Sequence, residues 1–323
     1  MRLIVEAAEA GQRLDRFLAD RLQGTSRALI MKYLKEGHAR VNGHRTRPGD
    51  QVRSGAEIEL PDLEQHLERI RGGRAAGLPA VRRIEAFPDE ILKIFEDEHL
   101  VVVSKPAGLV MHPGEGHEHE GLDGILREHF GPSTRLVHRL DRDTSGVVVA
   151  ARGHPRSARR LGDAFREGDV QKAYVALVRG VPDPAQGVVD APLLDTKEPG
   201  TKVRVDVGGK SARTGYEIES AFERYAWLRL RPETGRRHQV RVHLAHLGHP
   251  LVVDPLYAQK KRLRLRELRP DLPSSWQNPV VLTRTPLHAE SLTLRHPHTG
   301  EEVRFDAPLP DDLARVLELL GES

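Results

Sequence analysis

Hydrophobic residues near the start of the chain recur at helical spacing. The first run places four large apolar side chains on one helical face: Leu14, Phe17, Leu18 and Leu22. A second helical pattern, TSRALIMKYLKEGH, has Ser26 as its candidate N-cap and Gly37 as its candidate C-cap. Short alternating segments then flank turns at Asn42-Gly43 and at Pro48, which predicts a β-hairpin. Two helices followed by a hairpin predict a compact small domain over residues 11–61.

Residues 62–87 have weak periodicity and mix Gly, Pro, Ala and Arg, which predicts a linker. A second domain is expected over residues 88–318. Its strands are predicted on both sides of an Asp97-Glu98 turn, in KAYVALVRG, ARTGYEIESAF and AWLRLRPET, and in a final hairpin, AESLTLRHPHTGEEVRFDAP. Its helices are predicted in LDGILREHF, HPRSARRLGDAFREGD and GRRHQVRVHLAHLG. Many strands with short connections predict an α+β fold with a mainly antiparallel sheet and flanking helices.

Composition narrows the class of protein. The chain has 323 residues, of which 30% are charged and 38% are hydrophobic, as is typical of a globular protein with a real core. No apolar run approaches the roughly 18 residues of a membrane helix, and the N-terminal stretch carries acids early, unlike a secretory signal. The chain has no cysteine, which excludes disulfides and thiolate metal sites. We therefore expect a cytoplasmic protein with no membrane partner.

The distribution of charge is more informative than its sum. The net charge is only +3, which does not by itself demand a nucleic-acid partner. Basic residues nevertheless collect on the predicted second helix and hairpin of the small domain: Arg27, Lys32, Lys35, Arg40, Arg45 and Arg47. A surface of one sign suits a phosphate backbone, and a solvated face is the alternative. The basic run at residues 259–270 is interpreted as a solvated helix, and an RNA-facing lip is the alternative.

The stretch HRLDRDTSG, residues 138–146, places carboxylates among arginines directly before an apolar run. As a nucleophile or a general base, Asp141 has to be ionised and oriented. A neighbouring arginine such as Arg139 favours the charged form and fixes its direction through hydrogen bonds. Thr144 and Ser145 are typical of a turn. A salt-bridged turn without any chemistry is the alternative hypothesis.

A second cluster, TGRRHQVRVHLAHLGHP, combines three arginines with four histidines. Arginines at the start of a helix oppose the helix dipole, so we expect Arg236, Arg237 and Arg241 to have an anionic partner. That partner is either a phosphate or the carboxylate of Asp141. A tyrosine also stands out, because aromatic residues make up only 4% of the chain. Tyr174 is either part of the core or, in a cleft, a stacking surface for a flat ligand such as a base.

Clustered histidines suggest a metal site as a further hypothesis. In the second cluster, His243, His246 and His249 follow one another at steps of three, which drifts around a helix, and no HExxH pattern is present. A Gly- and Glu-rich stretch at residues 112–119 contains three more, and a mobile loop is the interpretation that we favour there. We therefore expect no metal centre.

Taken together and in this order, the motifs resemble the RluA-type pseudouridine synthases. HRLDRDTSG is similar to the family signature around the catalytic aspartate, and four further segments match in order: EDEHLVVVSKPAGLVMHPG, QKAYVALVRG, TGRRHQVRVHLAHLGHP and PLHAESLTLRHP. Residues 11–61 resemble the S4-like RNA-binding domain that many members carry in front. The resemblance covers nearly the whole chain and implies a mixed-sheet catalytic domain with a central cleft.

The resemblance implies an isomerase that converts uridine to pseudouridine within RNA, with no cofactor and no metal. It makes Asp141 the nucleophile, Tyr174 the residue that packs on the target base, and Arg236 the arginine that pairs with the catalytic carboxylate. Arg139 is expected to help hold the flipped nucleotide. Further RNA contacts are expected from His138, Lys172, Arg27, Lys32 and Arg45.

The resemblance leaves the particular RNA open. Family habit favours large-subunit ribosomal RNA, and transfer RNA is the alternative; a catalytically idle RNA-binding factor and a metal-dependent hydrolase are the rival classes. A monomer is expected. The chain departs from the family pattern at Val253 and Ala258, where glycine is usual. Because valine tolerates a positive φ poorly, that turn is expected to differ locally without affecting Asp141.

Overall fold

The computed structural model describes residues 1–22, 30, 33–34, 37, 39–61, 63, 85–87, 91–112, 121–195 and 202–321. The chain separates into two compact units, Met1–Pro79 and Ala80–Ser323. The first unit has one small hydrophobic core, and the second has several core clusters on a large sheet. No helix within the described ranges is long and apolar enough to cross a membrane.

The described part of the first unit is a four-stranded sheet with one α-helix. Its elements are β1 (Arg2–Ile4), α1 (Leu14–Arg21), β2 (Arg40–Val41), β3 (His44–Arg45) and β4 (Glu57–Glu59). The strands are antiparallel and lie in the order β1–β4–β2–β3. Helix α1 buries the apolar face that its spacing predicts, because Leu14, Phe17 and Leu18 enter the core.

The hairpin between β2 and β3 confirms the turn predicted at Asn42-Gly43. Both residues have a positive φ, 49° and 77°, as a two-residue turn of this type requires. Strand β1 comes before residue 11, so the sheet includes a segment that the sequence pattern did not predict. The predicted second helix, with Arg27 and Lys32, falls mostly outside the described residues.

The strands of the second unit are numbered in chain order. They are β5 (Glu85–Phe87), β6 (Ile91–Glu96), β7 (Leu100–Lys105), β8 (Arg135–Leu136), β9 (Ser145–Ala151), β10 (Gln171–Arg179), β11 (Gln186–Asp190), β12 (Leu193–Leu194), β13 (Arg204–Val205), β14 (Arg213–Ala221), β15 (Tyr225–Pro232), β16 (Leu263–Arg264), β17 (Val280–Leu282), β18 (Leu287–Arg295) and β19 (Glu302–Asp306).

Eleven of these strands form one mixed sheet. Its order is β11–β14–β15–β10–β18–β9–β7–β6–β5, with β19 beside β18 and β8 beside β9. Strands β9 and β18 pair in parallel, and the other pairs of this sheet are antiparallel throughout the described ranges. The predicted α+β class with a mainly antiparallel sheet is confirmed. Strand β5 lies inside the segment predicted to be a linker and pairs with β6.

Five described helices accompany the sheet: α2 (Leu122–Phe130), α3 (Pro155–Glu167), α4 (Gln239–His246), α5 (Leu265–Leu268) and α6 (Asp311–Gly321). The first three confirm the predicted helices, and α6 was not predicted. The solvated helix considered for residues 259–270 is wrong. That segment forms β16 and the short α5, because Leu263 and Leu268 are buried in the core.

The two faces of the sheet carry different helices. Side chains alternate along β10, so that Ala176 and Val178 pack with α4, whereas Val175 and Leu177 pack with α6. The parallel contact of β9 with β18 is unusually close at Gly146. A Cβ there would lie 2.1 Å from the carbonyl oxygen of Ala289, and φ is +123°, so only glycine fits. This contact fixes the start of β9.

Candidate active site

A cleft of about 540 Å³ opens in the second unit, on the side of the sheet where α4 packs. Among its lining residues are all six site residues that the sequence predicts in this domain: His138, Arg139, Asp141, Lys172, Tyr174 and Arg236. They come from the loop before β9, from β10 and from the loop before α4. The fold therefore brings together motifs that are far apart in the chain.

Asp141 stands in a tight turn between β8 and β9. We call residues 141–145 the Asp141 turn. Its backbone closes on itself, because the amide of Thr144 donates to the carbonyl of Asp141 at 3.1 Å. The carbonyl of Arg142 accepts two hydrogen bonds, from the ammonium of Lys105 at 2.9 Å and from the amide of Gly108 at 2.8 Å. The turn is thus held by contacts outside itself.

Lys105 is fully buried beneath this turn. Its Nζ also donates to the carbonyls of Pro106 and Leu109, both at 2.8 Å, so that all three ammonium protons have acceptors. Burial lowers the pKa of Lys105 to about 7, and the charges of Asp143 and Asp141 oppose that shift. Its contacts join the loop after β7 to the Asp141 turn.

The carboxylate of Asp141 pairs with the guanidinium of Arg241. Nη1 of Arg241 donates to Oδ2 of Asp141 at 2.9 Å, while Nε and Nη2 donate to both oxygens of Asp254 at 2.8 and 2.9 Å. Asp254 also accepts hydrogen bonds from the backbone amides of Leu256 and Tyr257. Asp254 is fully buried and Arg241 nearly so. The bidentate pair fixes the guanidinium, which in turn orients Asp141.

The pKa values of Arg241 and Asp254 are shifted in the directions that favour their charged forms. Burial opposes the charge of Arg241, but hydrogen bonds and the carboxylates of Asp254 and Asp141 outweigh it, so the pKa of Arg241 is raised. Burial also disfavours the carboxylate of Asp254, and the hydrogen bonds and charge of Arg241 reverse that effect, which lowers the pKa of Asp254. The cleft therefore contains a permanently charged Arg241 facing Asp141.

The predicted pairing of Arg236 with Asp141 is wrong. Nε of Arg236 donates to the carbonyl of Ser211 at 3.1 Å, and its side chain lines the mouth of the cleft. Arg237 forms a bidentate pair with Asp195 at 2.8 and 2.7 Å. Of the three arginines in this motif, Arg241 is the one that lies inside α4 and is buried. An arginine between Val240 and Val242 was the available sequence signal, because a buried guanidinium needs an acid.

Tyr174 is partly buried in the wall of the cleft, on the central strand β10. Burial and the nearby charge of Asp141 raise the pKa of its phenol, so Tyr174 keeps its proton at neutral pH. Lys172 lies two residues before it on the same strand, and its Nζ donates to the carbonyl of Thr234 at 3.4 Å. Burial lowers the pKa of Lys172 as well.

His138 shapes the wall beside Asp141. The β8–β9 ladder ends at Leu136 and Ala150, and the next amide of β9, that of Val149, donates to Nε2 of His138 at 2.9 Å. The imidazole also stacks on Phe165 of α3, with centroids 4.3 Å apart. Burial, with a smaller contribution from the charge of Lys172, lowers the pKa of His138 to about 3, so the ring stays neutral. Arg139 is exposed at the cleft.

His238 is a cleft residue that the sequence reasoning did not select. It precedes α4 with a left-handed backbone, φ +56°, which is strained for a residue other than glycine. Its Nδ1 lies 2.9 Å from the hydroxyl of Tyr257, and its Nε2 lies 3.9 Å from Oδ1 of Asp141. Burial lowers the pKa of His238 and raises that of Tyr257 to about 12. The ring of Tyr257 lies under Arg241, 5.2 Å away.

The remaining predicted residues lie elsewhere. Arg45 is exposed on β3 of the first unit, whereas Arg27 and Lys32 are outside the described residues. His243 is buried, and its two ring nitrogens lie within hydrogen-bond distance of Thr214 and of the carbonyl of Ala191. Within the described ranges, no three His, Asp or Glu side chains are arranged to hold a metal ion. The absence of a metal remains a prediction.

Known proteins are similar to this chain in sequence. A family model described as RNA pseudouridylate synthase matches residues 99–246, and one described as S4 domain matches residues 12–58. Proteins named ribosomal large subunit pseudouridine synthase C, from Salmonella typhi and Escherichia coli strain K12, are each 38% identical over 98% of this chain and 95% of their own length. The Pasteurella multocida protein of that name is 37% identical over 99% and 94%.

Two solved structures are similar to this chain in fold. The structure titled human RNA pseudouridylate synthase domain containing 4 is 30% identical and has a TM-score of 0.56, covering 71% of this chain and 92% of that one. A second structure, titled human RNA pseudouridylate synthase domain containing 1, shares the fold. Its TM-score is 0.50 at 22% identity, covering 77% of this chain and 98% of that one. The fold and the cleft thus define an RNA-modifying isomerase preceded by an S4 domain.

The chain belongs to the RNA pseudouridylate synthase family. It is an enzyme of the isomerase class that acts on uridine in RNA. The match also agrees with the order of the motifs, since the matched span contains HRLDRDTSG, the strand of Tyr174 and the arginine cluster before and within α4.

Proposed function

We propose that this protein converts specific uridines of large-subunit ribosomal RNA to pseudouridine, with Asp141 as the nucleophile. The observation that carries the proposal is the contact of 2.9 Å between Arg241 and Asp141 inside the cleft. A nucleophilic carboxylate has to be aimed at the reacting atom, and a guanidinium that is itself fixed by a second carboxylate holds Asp141 in one direction.

In the proposed reaction, Asp141 acts on the anomeric carbon of the ribose or on the base ring while the bond between N1 and the sugar breaks. The uracil turns and carbon five bonds to the sugar, while the bond that Asp141 has formed breaks and regenerates the carboxylate. Carbon five then loses its proton, and N1 gains one. Tyr174 packs on the base and, because it keeps its proton, acts as a hydrogen-bond donor.

The cleft suits a nucleotide removed from its stack. Its volume of about 540 Å³ is in the range of small-molecule sites. Leaving the stack costs a few kcal/mol, which contacts in a pocket offset. Cationic side chains at the cleft favour the phosphates on either side of the target: Arg135, Arg139, Arg166, Lys172 and Arg236.

The choice of ribosomal RNA rests on the relatives. Proteins named ribosomal large subunit pseudouridine synthase C are similar over nearly the whole chain, and an S4 domain precedes the catalytic unit in this chain. Arg45, exposed on the first unit, is a candidate phosphate contact. We further propose that the protein works as a monomer in the cytoplasm. Transfer RNA is the second candidate substrate.

Two purified substrates test the proposal. Unmodified transcripts of large-subunit ribosomal RNA and of transfer RNA are incubated with the protein, and pseudouridine is mapped at single-nucleotide resolution. We expect defined sites in the ribosomal transcript and none in transfer RNA. Conversion of transfer RNA alone would overturn the substrate assignment. Binding of ribosomal RNA without any conversion would indicate an RNA-binding factor that has kept the fold.

A further inference from the structure

The Asp141 turn is also held by two residues just before β18, Arg284 and Thr285. The hydroxyl of Thr285 donates to the carbonyl of Asp143 at 3.1 Å. Nη1 of Arg284 donates to the hydroxyl oxygen of Ser145, the last residue of the turn, at 3.2 Å. The same nitrogen also lies within hydrogen-bond distance of the carbonyls of Thr285 and Leu287. Arg284 therefore ties the turn to the start of β18.

The other edge of the Arg284 guanidinium faces the C-terminal helix. Nε and Nη2 donate to the two oxygens of Asp312, in the first turn of α6, both at 2.7 Å. Such a fork fixes a guanidinium in direction as well as in place. The side chain of Arg284 is 11% exposed and that of Asp312 is 41% exposed. One partly exposed fork thus links α6 with the Asp141 turn.

The proton arrangement around Ser145 agrees with these contacts. Nε2 of His288 lies 3.4 Å from the carbonyl of Ala307, which can only accept a hydrogen bond, so Nε2 carries the proton and Nδ1 is an acceptor. The hydroxyl of Ser145 lies 2.9 Å from that Nδ1 and donates to it. The oxygen of Ser145 is then free to accept the proton of Arg284. Burial lowers the pKa of His288 to about 4, which keeps the ring neutral.

Stability alone does not account for this arrangement. Helix α6 is already held by the apolar contacts of Leu313, Val316 and Leu320 with the sheet. A partly exposed ion pair contributes little to the free energy of unfolding. First-turn acids favour a helix dipole, but Asp311 supplies a second one beside Asp312. The additional effect of Asp312 is to fix the orientation of the Arg284 guanidinium. Arg284 in turn donates to Ser145, in the turn that carries the nucleophile.

We propose that Asp312 and Arg284 are positioning residues for the isomerisation, forming a strut from α6 through Ser145 that holds the Asp141 turn in register with Arg241. The proposal rests on the proposed role of Asp141 as the nucleophile. Neither residue lines the cleft. The strut acts on kcat, because a carboxylate displaced by about 1 Å loses about a hundredfold in rate.

The test compares two neighbouring acids. In Asp312→Ala we expect kcat on a ribosomal RNA fragment to fall at least about tenfold, with KM and RNA affinity within about twofold, because the cleft surface is unchanged. Asp311→Ala is the matched control. It removes a first-turn acid of the same helix, and we expect kcat to stay within about twofold of the wild type. Thermal unfolding of both variants is measured alongside.

Conservative variants separate positioning from folding. Asp312→Glu keeps a carboxylate and should recover part of kcat. In a double-mutant cycle of Arg284→Lys with Asp312→Asn, the second change should add little to the loss in kcat that the first one causes, because both break the same strut. If Asp312→Ala does not fold, this cycle provides the test by itself.

Three results would overturn the strut. They are an equal loss of kcat in Asp311→Ala and Asp312→Ala, a fall in melting temperature with unchanged kcat in Asp312→Ala, and fully additive effects in the cycle. The Asp141→Asn variant is run in the same assay. If Asp141→Asn has the wild-type kcat, the proposed nucleophile is wrong, and the strut with it. If Asp141→Asn is inactive while Asp312→Ala has the wild-type kcat, only the strut is wrong.

Discussion

The cleft and the first unit use charge in opposite ways. In the cleft, Asp141, Arg241 and Asp254 are largely buried and joined by short hydrogen bonds. In the first unit, Arg40 and Arg45 are exposed on the strands of a small sheet. Buried, partnered charges hold a precise geometry, whereas exposed charges attract a polyanion over a distance and are screened by salt. One region is built for chemistry and the other is suited to binding.

This difference predicts different responses to mutation. A change among the buried charges should alter turnover strongly and be insensitive to salt, because ions do not reach those pairs. A change among the exposed charges should alter RNA affinity, with a clear dependence on salt and little effect on the chemical step. The largest losses of activity are therefore expected in the cleft.

The largest effect of all is expected at Asp141. Asp141→Asn keeps the size of the side chain and a hydrogen-bond acceptor for Arg241, but it removes the nucleophilic charge. Turnover should be abolished while the dissociation constant for RNA stays within a few-fold of the wild type. Single-turnover conversion and filter binding measure the two quantities. Conversion near the wild-type rate would refute the nucleophile.

Next come the two arginines that the sequence did not distinguish. Lysine lacks the planar fork with which Arg241 pairs with Asp254 and orients Asp141, so Arg241→Lys should lower kcat about a hundredfold. Arg236→Lys is the matched control at the mouth of the cleft, and its kcat should stay within about threefold. Equal losses of kcat in the two variants would contradict the geometry, in which Arg241 alone of the pair contacts Asp141.

Removal of the first unit tests whether its exposed charges contribute to RNA affinity. A chain that starts at Ala80 should bind ribosomal RNA at least about tenfold more weakly, because it neutralises fewer phosphates. The slope of log affinity against log salt should become shallower by about one for each phosphate that the shorter chain no longer neutralises. Affinity is measured at several salt concentrations, with Arg45→Ala as a milder variant. An unchanged slope would show that this unit does not bind RNA.

The smallest effect concerns stability and pH. The pKa of His288 is about 4 in the folded chain against an ordinary 6.5, so below pH 6.5 the unfolded chain binds a proton that the folded chain does not. Stability is therefore lost as the pH falls, by roughly 2 kcal/mol between pH 6.5 and 5. Urea unfolding at several pH values should show a smaller loss in His288→Asn. Parallel profiles for the two proteins would contradict this assignment.

Much of the fold follows from local patterns. The strands around Asp97, the helices α2 to α4 and the Asn42-Gly43 turn carry periodicities or turn residues that act over a few positions. The sequence reasoning missed β1 and α6. Three residues of β1 are too few to show a period. Helix α6 does carry an apolar face at helical spacing, with Leu313, Val316 and Leu320, and the sequence reasoning overlooked it.

The site was predictable as a set of motifs but not as a set of contacts. The position of Asp141 before an apolar strand follows from the sequence, and the cleft indeed contains it. The choice of Arg241 over Arg236 depends on where α4 begins and on the left-handed backbone of His238, neither of which periodicity specifies. Contacts such as that of Arg284 with Ser145 join segments 139 residues apart, so only the tertiary structure reveals them.

The central claim is that Asp141 drives uridine isomerisation in large-subunit ribosomal RNA. The most direct test maps pseudouridine in total RNA from cells that carry the gene, cells that lack it, and cells in which Asp141→Ala replaces it. The account predicts the same large-subunit sites lost in the second and third strains, with transfer RNA unchanged. Sites that disappear without the gene but persist in Asp141→Ala cells would contradict it.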